Sequence, residues 1–147
     1  MSYLGPPRRS VVANAIYGLL NPIPFGCFVA ALIFDIVYAK TAVILWDQGA
    51  AWLIVIGLLF AIVPRLVNLA QVWVTSPRTA LGADRLDFWL NLLAIILAIF
   101  NALVHSRDAY GVVPASVWLS AGTVLLLGIG HVLIAVRYTA AGDLVHE

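Results

Sequence analysis

The chain has 147 residues, of which 63% are hydrophobic and 10% charged, with a mean hydropathy of +1.03. A water-soluble fold carries about a quarter of its residues as charges, so this composition argues against a soluble enzyme and for a chain that lives in a lipid bilayer. A net charge of +1 provides no basic field for nucleic acid, and one cysteine builds neither a disulfide framework nor a cysteine-rich metal site within one chain.

The first 21 residues predict a short interfacial helix. Arg8 and Arg9 precede the apolar run Val11 to Leu20, which has the outline of a signal peptide but no small-residue cleavage site before Asn21. Gly26-Cys27 outlines a lipoprotein site, yet Pro24 and Phe25 stand where a leucine and a small residue would be needed. A helix that crosses a hydrocarbon layer of roughly 30 Å at about 1.5 Å per residue needs about 20 apolar residues. Four stretches supply them: 22–39, 50–74, 86–105 and 113–138. Polar breaks separate them at Asp47-Gln48-Gly49, at Ser76-Pro77 through Asp84, and at Ser106 through Gly111. The expected architecture is all-α: an integral membrane four-helix bundle, left-handed and antiparallel, forming a single domain over 1–147. Short loops carry Arg8, Arg9, Arg78, Arg85 and Arg137 on one side against Lys40 and Arg107 on the other. The excess of positive charge predicts both termini in the cytoplasm.

Lipid gives helices little hydrophobic reason to meet, so contact faces are chosen by small residues and by polar groups that need partners. In the third span Asp87, Asn91, Ala94, Ala98, Asn101 and His105 recur at alternating intervals of four and three, one seam of a left-handed helix pair. Phe88, Trp89, Leu92, Leu93, Ile95, Ile96, Ile99, Phe100 and Leu103 fill the other positions and are expected to face lipid. The second span repeats the seam with Gly57, Ala61, Pro64, Asn68, Gln71 and Thr75, and the fourth more loosely with Ser116, Ser120, Thr123 and Gly130. Cys27, Ala31 and Asp35 form the stripe of the first span. Pro64 predicts a kink, and Gly128-Ile129-Gly130 lies within a span, as helix packing and not as a phosphate loop. Trp46, Trp52, Trp73 and Trp118, with Tyr38, Tyr110 and Tyr138, read as an interfacial belt.

Ionisable groups inside a membrane are functional candidates. Asp35, Arg65, Asn68, Asn91, Asn101 and His131 form the candidate polar seam. The rise per residue sorts them into an outer layer of Asp35, Asn101 and Ser120 and an inner layer of Arg65, Asn68, Asn91 and His131. Asp35 is expected to be hydrogen-bonded to Asn101 or protonated, with a pairing to Arg65 as the alternative. Arg65 otherwise snorkels to headgroups, His131 bonds a neighbouring helix, and His105 is an interfacial residue beside Arg107 and Asp108. Two membrane histidines raise the question of a bis-His haem, but His105 and His131 fall roughly 20 Å apart along the bundle, too far for one iron. No haem, metal or catalytic set is expected.

The stretch Asn21-Pro22-Ile23-Pro24-Phe25-Gly26, running into Ala30-Ala31-Leu32-Ile33-Phe34-Asp35, resembles a family of small four-span bacterial membrane proteins classed as a domain of unknown function. Its members open their first helix with a His-Pro, Phe/Pro entry and an aliphatic run ending in Asp; Asn21 stands here at the histidine. The likeness continues through Ala50-Ala51-Trp52-Leu53 and Gly57-Leu58-Leu59 and covers all four spans. It fades toward Gly142-Asp143-Leu144-Val145, an echo of the family's usual ending. Such proteins look like companions of redox enzymes. The resemblance implies an inner-membrane anchor or accessory subunit for a periplasmic oxidoreductase, with a quinone-accessible surface. The competing expectation is a small oligomeric transporter or proton-conducting channel, in which Asp35, Asn101, Arg65 and His131 line a path between copies of the chain.

Overall fold

The computed structural model describes residues 22–75, 82–107 and 111–143, with backbone alone for 63–75, 82–85, 87, 88, 134 and 137–143. Among the described residues four helices account for the regular structure: α1 Pro22–Thr41, α2 Ile44–Thr75, α3 Gly82–His105 and α4 Ala115–Asp143. There is no strand among the described residues. Each helix packs on its neighbours in a closed square. The α1–α2 and α3–α4 contacts are the broadest, and α1–α4 and α2–α3 complete the ring. The connections at 42–43 and 106–114 are short, which makes each broad pair an antiparallel hairpin. Length and apolarity suffice to cross a membrane in Pro22–Thr41, Ile44–Ile62 and Ala115–Leu133, while α3 contributes the shorter apolar run Trp89–His105.

The faces divide as the spacing predicts. On α3, Asn91, Ala94, Ala98 and Asn101 are buried, whereas Leu86, Trp89, Leu93, Ile96, Ile99, Phe100 and Leu103 are exposed. On α4 the buried residues are Ser116, Ser120, Thr123, Leu127 and Gly130. The buried stripe of α1 is Pro24, Phe28, Ala31, Asp35 and Tyr38, with Cys27 half-buried beside it. Among the described residues, small and polar groups therefore make up most of the interior, joined by Phe28, Tyr38, Ile54 and Leu127. This is the arrangement expected when lipid bathes the large side chains and helices approach through small ones. At Gly57 an added Cβ would lie 3.0 Å from the Phe28 ring and 3.2 Å from Cys27 Cβ, so its lack of a side chain sets the spacing of α1 and α2.

Several boundaries differ from the sequence expectation. The second helix begins at Ile44 and not at Ala50, so Asp47-Gln48-Gly49 lies within its first turns instead of forming a loop. The chain reverses at Ala42–Val43, where Ala42 takes a φ of 53°. Its N–H donates to the Tyr38 carbonyl at 2.8 Å, and the Thr41 hydroxyl donates to the Val37 carbonyl at 2.8 Å. A polar triplet reads as punctuation by hydropathy, yet an acidic residue in the first turn suits the positive end of the helix dipole. Gly49 is a contact glycine, since a Cβ there would stand 2.8 Å from the Phe34 ring. α1 runs on to Thr41, α3 starts at Gly82 and α4 spans Ala115–Asp143, against expected bounds of 39, 86 and 113–138. Trp52 and Trp118 are exposed, as a belt requires, but Tyr38 is buried and does not belong to it. Trp46 stacks edge-on against Phe34, with ring centroids 5.0 Å apart. The expected interfacial helix, Trp73, Tyr110 and Tyr138 lie outside the described residues or side chains.

Candidate functional site

Near the end of the bundle that holds the 42–43 and 106–114 connections, all four helices contribute to one polar cluster. Asp35 comes from the penultimate turn of α1, Asp47 from the first turn of α2, Asn101 and His105 from the last turns of α3, and Ser116 and Ser120 from the start of α4. The Asp35 side chain is 0% exposed and that of His105 is 1% exposed. Four of these residues close a ring of hydrogen bonds. The Asn101 amide Nδ2 donates to Ser120 Oγ at 2.7 Å, and the Ser120 hydroxyl donates to Asp35 Oδ2. Asp35 Oδ1 meets His105 Nε2 at 2.9 Å, and His105 Nδ1 returns to the Asn101 backbone carbonyl at 2.9 Å.

The ring fixes how many protons the Asp35–His105 contact holds. A carbonyl oxygen only accepts, so His105 Nδ1 carries a hydrogen. Nε2 and Asp35 Oδ1 cannot face each other at 2.9 Å with lone pairs alone, so one proton sits between them, bonded either to the imidazole or to the carboxyl. Aspartate and histidine together are neutral in both forms. Burying two separated ions would carry a penalty of several kcal/mol per ion, and the shared proton, with Ser120 on the second carboxyl oxygen, offsets it. Beside this ring stands Asp47, its side chain 8% exposed and its Oδ1 3.6 Å from His105 Nε2. Asp47 Oδ1, Asn101 Oδ1 and Ser116 Oγ are buried and, among the described residues, have no hydrogen-bond partner.

Below the ring the interior turns apolar. Phe28, Ala31, Ile54, Ala94, Ala98 and Leu127 form a single buried cluster. Thr123, the next hydroxyl along α4 after Ser120, donates to its own helix at the Leu119 carbonyl, 2.9 Å away. On the far side of this layer a small cleft lies among Pro24, Phe28, Phe60, Asn91, Leu127 and His131. There His131 Nδ1 bonds the Leu127 carbonyl of its own helix at 2.7 Å, and its ring tilts against Phe25 with centroids 5.3 Å apart.

The outer layer of Asp35, Asn101 and Ser120 is thus brought together, with Ser120 bridging the other two, so Asp35 reaches Asn101 through a hydroxyl and not directly. Asn91 and His131 line the inner cleft. Two expectations are corrected. His105 is not an interfacial residue but the ring's buried base, and His131 bonds its own helix and not a neighbouring one. The side chains of Arg65, Asn68 and Pro64 lie outside the described residues, and with them the Asp35–Arg65 pairing. Both oxygens of Asp35 already have partners in His105 and Ser120. Sequence reasoning passed over Asp47, whose signal was its position in a first helical turn. It also set aside His105, whose signal was its place four residues after Asn101 on the same seam.

The arrangement is one for holding protons. In a nucleophilic triad the imidazole stands between hydroxyl and carboxylate and draws the proton off the hydroxyl. Here the carboxylate stands in the middle, and the Ser120 proton points at Asp35 with no imidazole beside it. Among the described residues no three His, Cys, Asp or Glu side chains are placed to hold a metal ion.

Fold and site define a small helical membrane protein with a polar core at one end. The chain belongs to the family described as "Predicted membrane protein (DUF2231)", whose family model matches residues 14–144 and so takes in all four helices. No curated protein and no solved structure matches the chain.

Proposed function

We propose that this is a non-enzymatic membrane protein whose Asp35–His105 pair binds and releases a proton, and that the bundle is the membrane anchor or accessory subunit of a redox enzyme on its outer face. The observation that carries the reading is the single proton required between two fully buried ionisable groups. Ionisable residues within membrane helices carry a large desolvation penalty and mark proton and ion chemistry, and a plain anchor has no use for them. The redox partner is supported by the resemblance of the first two helices to companions of such enzymes. The Lys/Arg bias of the loops supports an inner-membrane orientation with cytoplasmic termini, which puts the ring toward the periplasm.

Infrared difference spectroscopy of the purified protein between acid and alkaline buffer tests the proposal. A band of the protonated pair, from the Asp35 carboxyl or the His105 imidazolium, should appear and be absent or shifted in Asp35→Asn. A spectrum without that band, or one unchanged by the substitution, would leave the pair a purely structural contact. Reconstituted vesicles separate this reading from the proton-conducting oligomer. Conduction needs a polar path past Phe28, Ala31, Ile54, Ala94, Ala98 and Leu127, and the expected transmembrane proton flux is therefore background; flux that Asp35→Asn abolishes would favour the channel.

A further inference from the structure

We infer that Asp47 is the port through which the Asp35–His105 pair exchanges its proton with water, by way of His105 Nε2 and toward the face that carries the 42–43 and 106–114 connections. The inference rests on the proton-binding reading above. It starts from an acceptor without a partner: Asp47 Oδ1 is buried, accepts no hydrogen bond among the described residues, and stands 3.6 Å from the same nitrogen that Asp35 Oδ1 meets at 2.9 Å. The imidazole thus has two carboxylates within reach of one atom. It is held by Nδ1 on the Asn101 carbonyl, about which a small tilt carries Nε2 from one to the other.

Depth gives the direction. Asp47 is three residues from the start of α2 and Asp35 six from the end of α1, so Asp47 lies about 4–5 Å nearer the end of the bundle. The residues at that end, Lys40, Thr41, Ala42, Val43, Ser106 and Arg107, are exposed. Away from that end the pair is sealed by the apolar cluster of Phe28, Ala31, Ile54, Ala94, Ala98 and Leu127. The groups that meet His105 are Asp35 on α1, Asp47 on α2 and Asn101 on its own helix, with Ser120 of α4 on the second oxygen of Asp35. Of these, Asp47 alone pairs a carboxylate with a position nearer the end than Asp35.

The transfer balances without any other reactant. The N–H bond at Nε2 breaks as an O–H bond forms at Asp47 Oδ1, and the imidazole is left neutral with its Nε2 lone pair facing the new hydroxyl. Asp35 keeps the Ser120 hydrogen bond as a carboxylate, so the net charge of the three groups is unchanged. Asp47 then gives the proton to water, and uptake runs in reverse.

The experiment is a pH jump on the full-length protein in bilayers, followed in time by the infrared bands of the Asp35–His105 pair, the Asp35 carboxyl and the His105 imidazolium. Asp47→Asn should still bind the proton in sufficiently acid buffer but exchange it about a hundredfold more slowly, the contribution typical of a positioned proton-transfer group. His131→Phe, in the cleft beyond the apolar layer, should exchange at the parent rate. Asp47→Asn exchanging as fast as the parent would overturn the port while leaving the proton-binding pair intact, as would His131→Phe slowing exchange equally. A parent protein with no band from the pair at all would overturn both readings.

Discussion

His105 and His131 begin with the same local bond and end in different chemistry. Each ring bonds through Nδ1 to the carbonyl four residues earlier on its own helix, Asn101 for one and Leu127 for the other. The difference lies at the far nitrogen. His105 Nε2 meets a buried carboxyl from another helix, whereas His131 leans on Phe25 in an open cleft and is itself exposed. A helix fixes a histidine's near nitrogen by itself. What the ring can do is then decided by the neighbouring helix, through groups far away in sequence: Asp35 and His105 are 70 positions apart, and Asp35 and Ser120 are 85 apart.

Substitution separates the two histidine environments. The largest effect is expected from Asp35→Ala, which strands His105 and Ser120 without a partner and should destabilise the bundle by about 3–5 kcal/mol, as removal of one member of a buried pair does. Asp35→Asn keeps an acceptor for Ser120 and an N–H for Nε2, so unfolding in mixed detergent should find it much closer to the parent than Asp35→Ala. If the two variants are equally unstable, the geometry of the ring is not what supports the fold. Ser120→Ala removes a donor to Asp35 and an acceptor for Asn101 together. Its loss should be about 1–3 kcal/mol by the same measurement, in the range for a buried polar group left unpaired.

A comparable effect without any change of charge is expected at Gly49. A methyl group there would stand 2.8 Å from the Phe34 ring, itself stacked on Trp46, so Gly49→Ala should lower stability by about 1–3 kcal/mol through overpacking. The smallest effect belongs to His131→Phe, within about 0.5 kcal/mol of the parent, because an exposed side chain outside the ring has little to lose. A large loss at His131 together with a small one at Ser120 would reverse the assignment of the two ends.

Much of this was legible in the sequence because one physical rule governs it. In lipid, small and polar residues turn inward, and on α3 the alternation of three and four residues separated Asn91, Ala94, Ala98 and Asn101 from Leu93, Ile96 and Phe100 without ambiguity. The rule falters near helix ends, where a polar residue has two destinations. Asp47 read as loop and His105 as interface because water is close to both, and hydropathy does not distinguish a residue that faces water from one that turns back into the core. The same ambiguity hid Tyr38, whose ring suits a belt but whose position continues the buried stripe Phe28, Ala31, Asp35. Depth from the rise per residue did bring Asp35, Asn101 and Ser120 to one level. It could not say that the hydroxyl would stand between the other two, since that depends on how far each side chain reaches across the bundle.

The proton between Asp35 and His105 is observed most directly by nitrogen-15 NMR of histidine-labelled protein in bilayers. The ring of His105 should carry hydrogen on Nδ1, with an Nε2 signal shifted by a strong hydrogen bond that changes in Asp35→Asn, while His131 is unaffected by that substitution. A His105 ring with a bare Nδ1, or one whose Nε2 signal ignores the loss of the Asp35 carboxyl, would contradict a proton shared between the two.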